Sequence, residues 1–368
     1  MSNTEVTHNY SGDVRDVRII AELDPQSIYH RLWQPYVANL GDDHLVTCYG
    51  AEFRGKVDMG DIYASVSEDG GESWHSPVYI FDHRNLIGNR HYGYLNPSFF
   101  RPDGTDTLWC FATRCPMYKL SGDDNELVAA YTVDGGWSWQ EIPLACDFWS
   151  PLITCNAPVP IQREGNTRYL MPVHRGPIIR GDINADQKAF LLESSDLLHW
   201  KMGAYTLFDE SDPVFLAEGS LVQRKDGTLT IVYRAAKYGP RPTLPTNGNC
   251  AYRCDSNDGG ITWSQARPET GCHNTWSKSW YYIEDDGTEV YIYSPDEIRE
   301  RPGLSWVKRA PGEESWGEPR VFYDGENRNS YPTLVARSDN GWYAVWDSSQ
   351  DREHRRTRIC FGKFDVGV

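Results

Sequence analysis

Hydrophobic and polar residues alternate along most of the chain, in short runs such as "TLTIVYR", "TEVYIYS" and "GWYAVWD". Period-two alternation places successive side chains on opposite faces, which predicts strands with one buried face. The runs pair up around a recurring unit: Pro or a small residue, an alternating strand, a turn of the acid-Gly type, then a second strand. Its copies are "QPYVANLGDDHLVTCYGAEFR", "NPSFFRPDGTDTLWCFATR", "APVPIQREGNTRYLMPVHR", "EGSLVQRKDGTLTIVYR", "SKSWYYIEDDGTEVYIYS" and "YPTLVARSDNGWYAVWD". Acid-Gly and Asp-Asn-Gly tolerate positive φ, so each unit predicts a hairpin.

A second motif follows the first five hairpins with the same beat. "SEDGGESW" ends at Trp74, "TVDGGWSW" at Trp139, "ESSDLLHW" at Trp200, "SNDGGITW" at Trp263, and a worn copy, "APGEESW", at Trp316. These tryptophans fall roughly sixty residues apart, the spacing of a repeat architecture. A hairpin, a tryptophan-ended turn and more strand give four strands per unit. The expected fold is all-β: a six-bladed β-propeller of four-stranded antiparallel blades, forming a single domain over residues 1–368. The last unit has three evident strands, and "DVRIIAEL" near the N-terminus supplies a fourth that closes the ring and protects the sheet edges. Two stacked sandwiches are the alternative, but they do not explain six equal units. The tryptophan-ended turns fall between the third and fourth strands, on the rim away from the longer loops. There the Asp can hydrogen-bond its own turn and the Trp can pack between sheets. Their repetition favours a structural role over catalysis, including for Glu68 and Asp69.

Composition narrows the partners. The 368 residues carry a formal charge of -16, which argues against nucleic acid. That charge leaves room for an anionic ligand, because a few local arginines can dominate a pocket. No apolar run is long enough to span a bilayer. The polar start "MSNTEVTHNYSGDVRD" lacks the apolar core of a signal peptide, so the expected location is cytosolic, or extracellular with a leader removed. Nine cysteines cannot all pair internally, and "CAYRC" (Cys250, Cys254) lacks a second ligand pair for zinc, so scattered core thiols are the expectation. The acid-rich "SGDDNE" and "GDINAD" read as solvated loops, and neither a metal nor a cofactor is expected. The chain is expected to act as a monomer.

The 2–3 loops are long: "RCPMYKLSGDDNE", "HRGPIIRGDINADQK", "RAAKYGPRPTLPTNGN" and "SPDEIRERPG". Four hairpins end in arginine at matching positions, Arg54, Arg114, Arg175 and Arg234. One such arginine is ordinarily a solvated charge; four around one mouth suggest a site for carboxylate, sulfate or phosphate. An insertion after the first unit, "FDHRNLIGNRHYGYL", adds His83, Arg84, Arg90 and His91 to the same face, and His174 ends a hairpin beside Arg175.

These features resemble the sialidase superfamily, whose six-bladed propellers carry the same tryptophan-ended turns, called Asp boxes. The resemblance covers nearly the whole chain. It implies a glutamate opening the fourth blade and an arginine ending its hairpin, here Glu218 and Arg234. It implies a second substrate-gripping arginine in an Arg-x-x-Leu sequence, here Arg301 in "RPGL". A tyrosine nucleophile opens blade six, here Tyr331 in "SYPTL", and an acid/base aspartate follows the first hairpin, here Asp58 in "RGKVD". Asp347 in "VWD" matches an acid that braces an arginine. One position departs. Sialidases open blade one with Arg-Ile-Pro, whereas this chain has "YHRLWQPYV", with Trp33 in the arginine's place. Arg31 stands two residues earlier, on the same strand face but about 7 Å away.

Three functions are compatible with that set. The first is a retaining exo-glycosidase in which Glu218 activates Tyr331, Asp58 protonates the leaving oxygen, and Arg234 and Arg301 hold a carboxylate. The second is a polysaccharide lyase cutting beside a uronic acid by β-elimination. It would use His83, His91, His174 or Tyr331 as acid and base, with Arg84, Arg90, Arg114 or Arg175 neutralising the uronate. The third is a non-catalytic sugar-binding propeller, which has no need of Asp58, Glu218 and Tyr331 in this order. All three take an anionic oligosaccharide or polysaccharide.

Overall fold

Alternating runs become strands because each can bury one or both faces against a neighbouring sheet, and no helix forms among the described residues. The computed structural model describes residues 10–367 apart from 120–123, 148–152, 155, 175–188, 207–213, 237–249, 275–276, 296–300, 326–327 and 350–356. Its strands fall into six successive groups, antiparallel except where the short strand Ala145–Cys146 runs parallel to His199–Tyr205, and the first two are joined by a single bridge between Gly60 and Tyr94. In the first group Tyr29–Gly41, His44–Phe53, Gly60–Ser67 and Val78–Phe81 pair in order. The last contains Arg328–Ala336, Trp342–Ser349 and Arg358–Phe364, and its outer strand is Arg15–Glu22 from the start of the chain. The ring is therefore closed by the N-terminal strand, as the sequence pattern predicts.

The tryptophan-ended turns lie between third and fourth strands. In the second unit Asp134 Oδ1 accepts from the amides of Trp137 and Ser138, both at 3.0 Å, and the Thr132 hydroxyl accepts from Gly136 N at 3.1 Å. Burial pushes Asp134 up, but hydrogen bonds donated to it by the Ser138 and Thr132 hydroxyls and by the two amides outweigh that and hold it down at about 2. Gly136 has φ +98°, and a Cβ there would meet Val46 at 2.9 Å, so glycine is required twice over. The tryptophans pack between units: Trp200 lies edge-on to Phe111 at 5.6 Å, and Trp74 meets Phe361 at 5.5 Å. These contacts lock adjacent sheets, and none involves the residues considered for catalysis.

The innermost strands hold the feature that shapes the site. Four of them break register at the same place: between Trp33 and Tyr36, Leu95 and Ser98, Ala217 and Ser220, and Ser330 and Thr333. Each break is a β-bulge whose first inner residue is left-handed: Gln34 at φ 50°, Asn96 at 54°, Glu218 at 50° and Tyr331 at 54°. Pro35, Pro97, Gly219 and Pro332 follow them. Proline has no N–H to lose, so a bulge is one of the few places a sheet tolerates it. Non-glycine residues in this region cost about 1–3 kcal/mol each, and such strain concentrates at functional sites. Asn156 and Lys278 hold the corresponding places in the third and fifth units.

Side chains of the preceding unit take up the freed bulge amides. Gln34 N donates to Asp347 Oδ2 at 3.0 Å, Glu218 N to His174 Nδ1 at 3.4 Å, and Tyr331 N to Ser277 Oγ at 3.1 Å. At these three junctions one unit thus clamps the next at the level of the bulge, which satisfies donors that the broken ladder abandons. Tyr36, its ring 5.6 Å from Trp280, and the buried Lys278, 5.1 Å from Tyr36, bring the first and fifth units together.

Candidate active site

The bulges of the fourth and sixth units point their side chains at each other. Tyr331 Oη donates to Glu218 Oε1 at 3.0 Å, and Arg234 Nη1 donates to Glu218 Oε2 at 2.9 Å. Arg234 is carried here by the hairpin register, which sets it opposite Ala217. Arg301, in the left-handed region at φ 52°, holds its guanidinium 5.5 Å from the Tyr331 ring and donates to Ser330 Oγ at 3.5 Å. Ser330 in turn donates to Asp347, its cross-strand partner. Glu218, Tyr331, Arg234 and Arg301 therefore converge, from units four, five and six.

Electrostatics sets the state of Glu218. Its burial favours the neutral acid, but the Arg234 charge and hydrogen bond, with His174 and Arg301, outweigh that and hold it below the ordinary glutamate value. Glu218 is thus a carboxylate at neutral pH, with one oxygen committed to arginine and the other on a phenol. A carboxylate in this position can take the phenol proton as the oxygen attacks an electrophile.

Asp58 belongs to a second cluster, in unit one. Arg31 Nη2 donates to Asp58 Oδ1 at 2.8 Å and also pairs with Glu52, which accepts the Asp58 amide at 2.8 Å. Glu52 is fully buried, and His30 Nε2 lies 2.6 Å from its other oxygen. The Arg31 guanidinium stacks 4.2 Å above Trp33. Trp33 itself fits only because residue 50 is glycine, since a Cβ there would lie 2.4 Å from the indole nitrogen. The first-unit arginine is accordingly engaged with the aspartate and with Glu52. Asp347 accepts the Gln34 amide, next to the tryptophan that replaces the expected arginine.

The family model for the BNR repeat-like domain matches residues 43–345. The chain belongs to this family. No curated protein matches the chain. Among solved structures, this BNR-repeat protein is similar to a Dyadobacter fermentans protein of unknown function, at 17% identity and TM-score 0.69, covering 94% of this chain and 98% of that one. It is similar to the leech intramolecular trans-sialidase at 14% identity and TM-score 0.69, covering 98% and 71%. It is also similar to the NanB sialidase of Streptococcus pneumoniae at 11% identity and TM-score 0.68, covering 97% and 71%. At these identities the likeness establishes the sialidase-type β-propeller fold.

The other predicted residues of this BNR-repeat protein fall elsewhere. Arg54 is exposed and spends its guanidinium on the carbonyls of Ser27 and Pro25, at 2.8 and 2.6 Å, so it ties down a loop. Arg114 stacks 4.9 Å from Tyr92, pairs with Glu126 at 2.5 Å, and lines a groove of about 800 Å³ with Arg90 and Tyr118. Arg84 is exposed and bound to Asp82 at 2.6 Å. Arg175 lies outside the described residues. The histidines do not gather at one point. His83 Nδ1 is 2.8 Å from the buried Asp61, and His91 Nδ1 is 2.9 Å from the His83 carbonyl. His174 sits against Glu218, with Nδ1 occupied by the bulge amide. Sequence reasoning missed Glu52 and Gln34. Glu52 is the cross-strand partner of Arg31, a signal readable only once the hairpin register is known.

Proposed function

We propose that the protein is a sialidase-type retaining glycosidase acting on a terminal carboxylated sugar. The observation that carries this reading is the 3.0 Å bond from Tyr331 to Glu218, with Arg234 on the second carboxylate oxygen. Glu218 accepts the phenol proton while Tyr331 Oη bonds to the anomeric carbon. The glycosidic C–O bond breaks, and its oxygen takes a proton from Asp58. Water then attacks the same carbon, giving its proton to Asp58 as the Tyr331 ether bond breaks and Tyr331 recovers its proton from Glu218. A neutral phenol suits a substrate with a carboxylate on or beside the reacting carbon, because an anionic nucleophile would be repelled. Arg234 and Arg301 supply the charge to hold that carboxylate.

The test is turnover of aryl glycosides of N-acetylneuraminic acid and of glucuronic acid, run beside digestion of a uronate-containing polysaccharide. Release of the aryl group with free sugar acid supports the proposal. An unsaturated uronate absorbance assigns the protein to β-elimination instead. Binding of sugar acids without turnover leaves a lectin-like propeller.

A further inference from the structure

At the first bulge of the ring stands a residue, Gln34, to whose side chain neither the fold nor the proposed chemistry assigns a role. Gln34 is 6% exposed, and its Oε1 has no hydrogen-bond partner. Leaving a buried amide oxygen unpaired costs about 1–3 kcal/mol. The backbone pays a second cost, since Gln34 is left-handed at φ 50°. Its main-chain N–H is satisfied by Asp347, so the bulge itself does not need a glutamine side chain.

Equivalence within the ring says at which level Gln34 stands. Gln34, Glu218 and Tyr331 share the same break of register and the same φ, within a few degrees. Two of the three have side chains that meet at 3.0 Å. Gln34 stands in the unit that follows Tyr331 around the closed ring, and its amide is bonded to Asp347, the cross-strand partner of Ser330. The bulge therefore sets Gln34 at the same level of the ring as the candidate nucleophile and base. Asn96, at the next bulge, is left-handed and buried in the same way.

We infer that Gln34 is a substrate-binding residue whose Oε1 accepts a hydrogen bond from a hydroxyl of the sugar acid. The arginines stand in units four and five, and the first unit offers a neutral acceptor in place of a third cation. The ligand class is a sugar acid whose carboxylate is met by Arg234 and Arg301 and whose free hydroxyl meets Gln34. This inference rests on the glycosidase reading.

The experiment is calorimetric titration of wild type and Gln34→Met with N-acetylneuraminic acid and, separately, glucuronic acid, together with thermal melting of both ligand-free proteins. Methionine keeps the unbranched shape and removes the acceptor. For whichever acid the wild type binds, the variant should lose about tenfold in affinity, the scale of one buried hydrogen bond. Without ligand it should melt at the same temperature or higher, since an unmet buried acceptor has been removed. Affinity unchanged within about twofold overturns the inference and leaves the glycosidase reading standing. A lower melting temperature assigns the glutamine to the fold and overturns it as well. If the wild type binds neither acid, the carboxylated-sugar reading fails and the inference fails with it.

Discussion

Tyr331 Oη lies 3.0 Å from Glu218 Oε1 across 113 residues of sequence, and both residues stand at bulges of the same kind in innermost strands. A regular strand alternates its side chains between the two faces of the sheet. The left-handed bulge turns a residue out of that alternation, and a Pro or Gly after it removes the conflict with the ladder.

Tyr331→Phe tests that pair. The substitution removes one oxygen and leaves the Glu218–Arg234 ion pair in place. Turnover of the substrate identified for the wild type should fall on the order of 10³-fold or more, as when a nucleophile that acts with its base is removed. Near-native circular dichroism and sugar-acid binding should persist. A variant with most of its kcat would remove Tyr331 from the chemistry.

Arg234→Gln addresses the ionisation of Glu218. Burial pushes this carboxyl up, and the Arg234 charge and hydrogen bond are foremost among the effects pulling it down. Losing the arginine should raise the glutamate pKa. The base is then lost at a higher pH on acidification, and the acidic limb of the kcat/KM profile moves upward. An acidic limb that stays put in the variant would assign it to another group.

The fold was legible because its signals are local. A hairpin turn or a tryptophan-ended turn is specified by a few adjacent residues, such as Thr132, Asp134, Gly136 and Ser138. The places of Glu218, Tyr331 and Arg234 could be counted from those turns. The surroundings of Asp58 were not countable, because the strand pair carrying Arg31 shifts register between Tyr29 and Arg31, and only the shifted register sets Arg31 opposite Glu52. Arg54 occupies the same sequence slot as Arg234, yet carbonyls of a neighbouring loop capture it. The clamps onto the bulge amides of Gln34, Glu218 and Tyr331 are tertiary, so His174 reads in sequence as a free acid–base group and in the structure as a hydrogen-bond acceptor for the backbone.

Arg31→Ala separates support of Asp58 from contact with substrate. Removing the guanidinium strips Glu52, which is fully buried, of a charged partner and frees Asp58. Breaking a buried pair on one side costs about 3–5 kcal/mol, and the lower part of that range is expected here because His30 still reaches Glu52. Urea unfolding gives that number. In kinetics, kcat should fall more than KM rises, since the arginine acts through Asp58. A rise in KM alone would place Arg31 on the substrate.

His174 should make stability depend on pH. Burial holds its imidazole down at about 4, with the neighbouring Glu218 opposing and Arg234 reinforcing the shift. As an acceptor for the Glu218 amide, Nδ1 must be unprotonated. In the unfolded chain the ring titrates near 6.5, so between about 6.5 and 4 the unfolded state binds the extra proton and native stability falls as pH drops. From the span between about 4 and the ordinary 6.5, the loss amounts to about 3 kcal/mol. Below that window His174 adds no further slope. Glu218, whose folded value is also depressed, loses its contribution at lower pH, below the ordinary glutamate range. His174→Asn keeps an acceptor for the amide and removes the titration. Unfolding free energies measured from neutral pH down to about 4 should therefore slope less in the variant than in the wild type. Equal slopes would show that His174 takes up its proton in the native state at the same pH as in the unfolded chain.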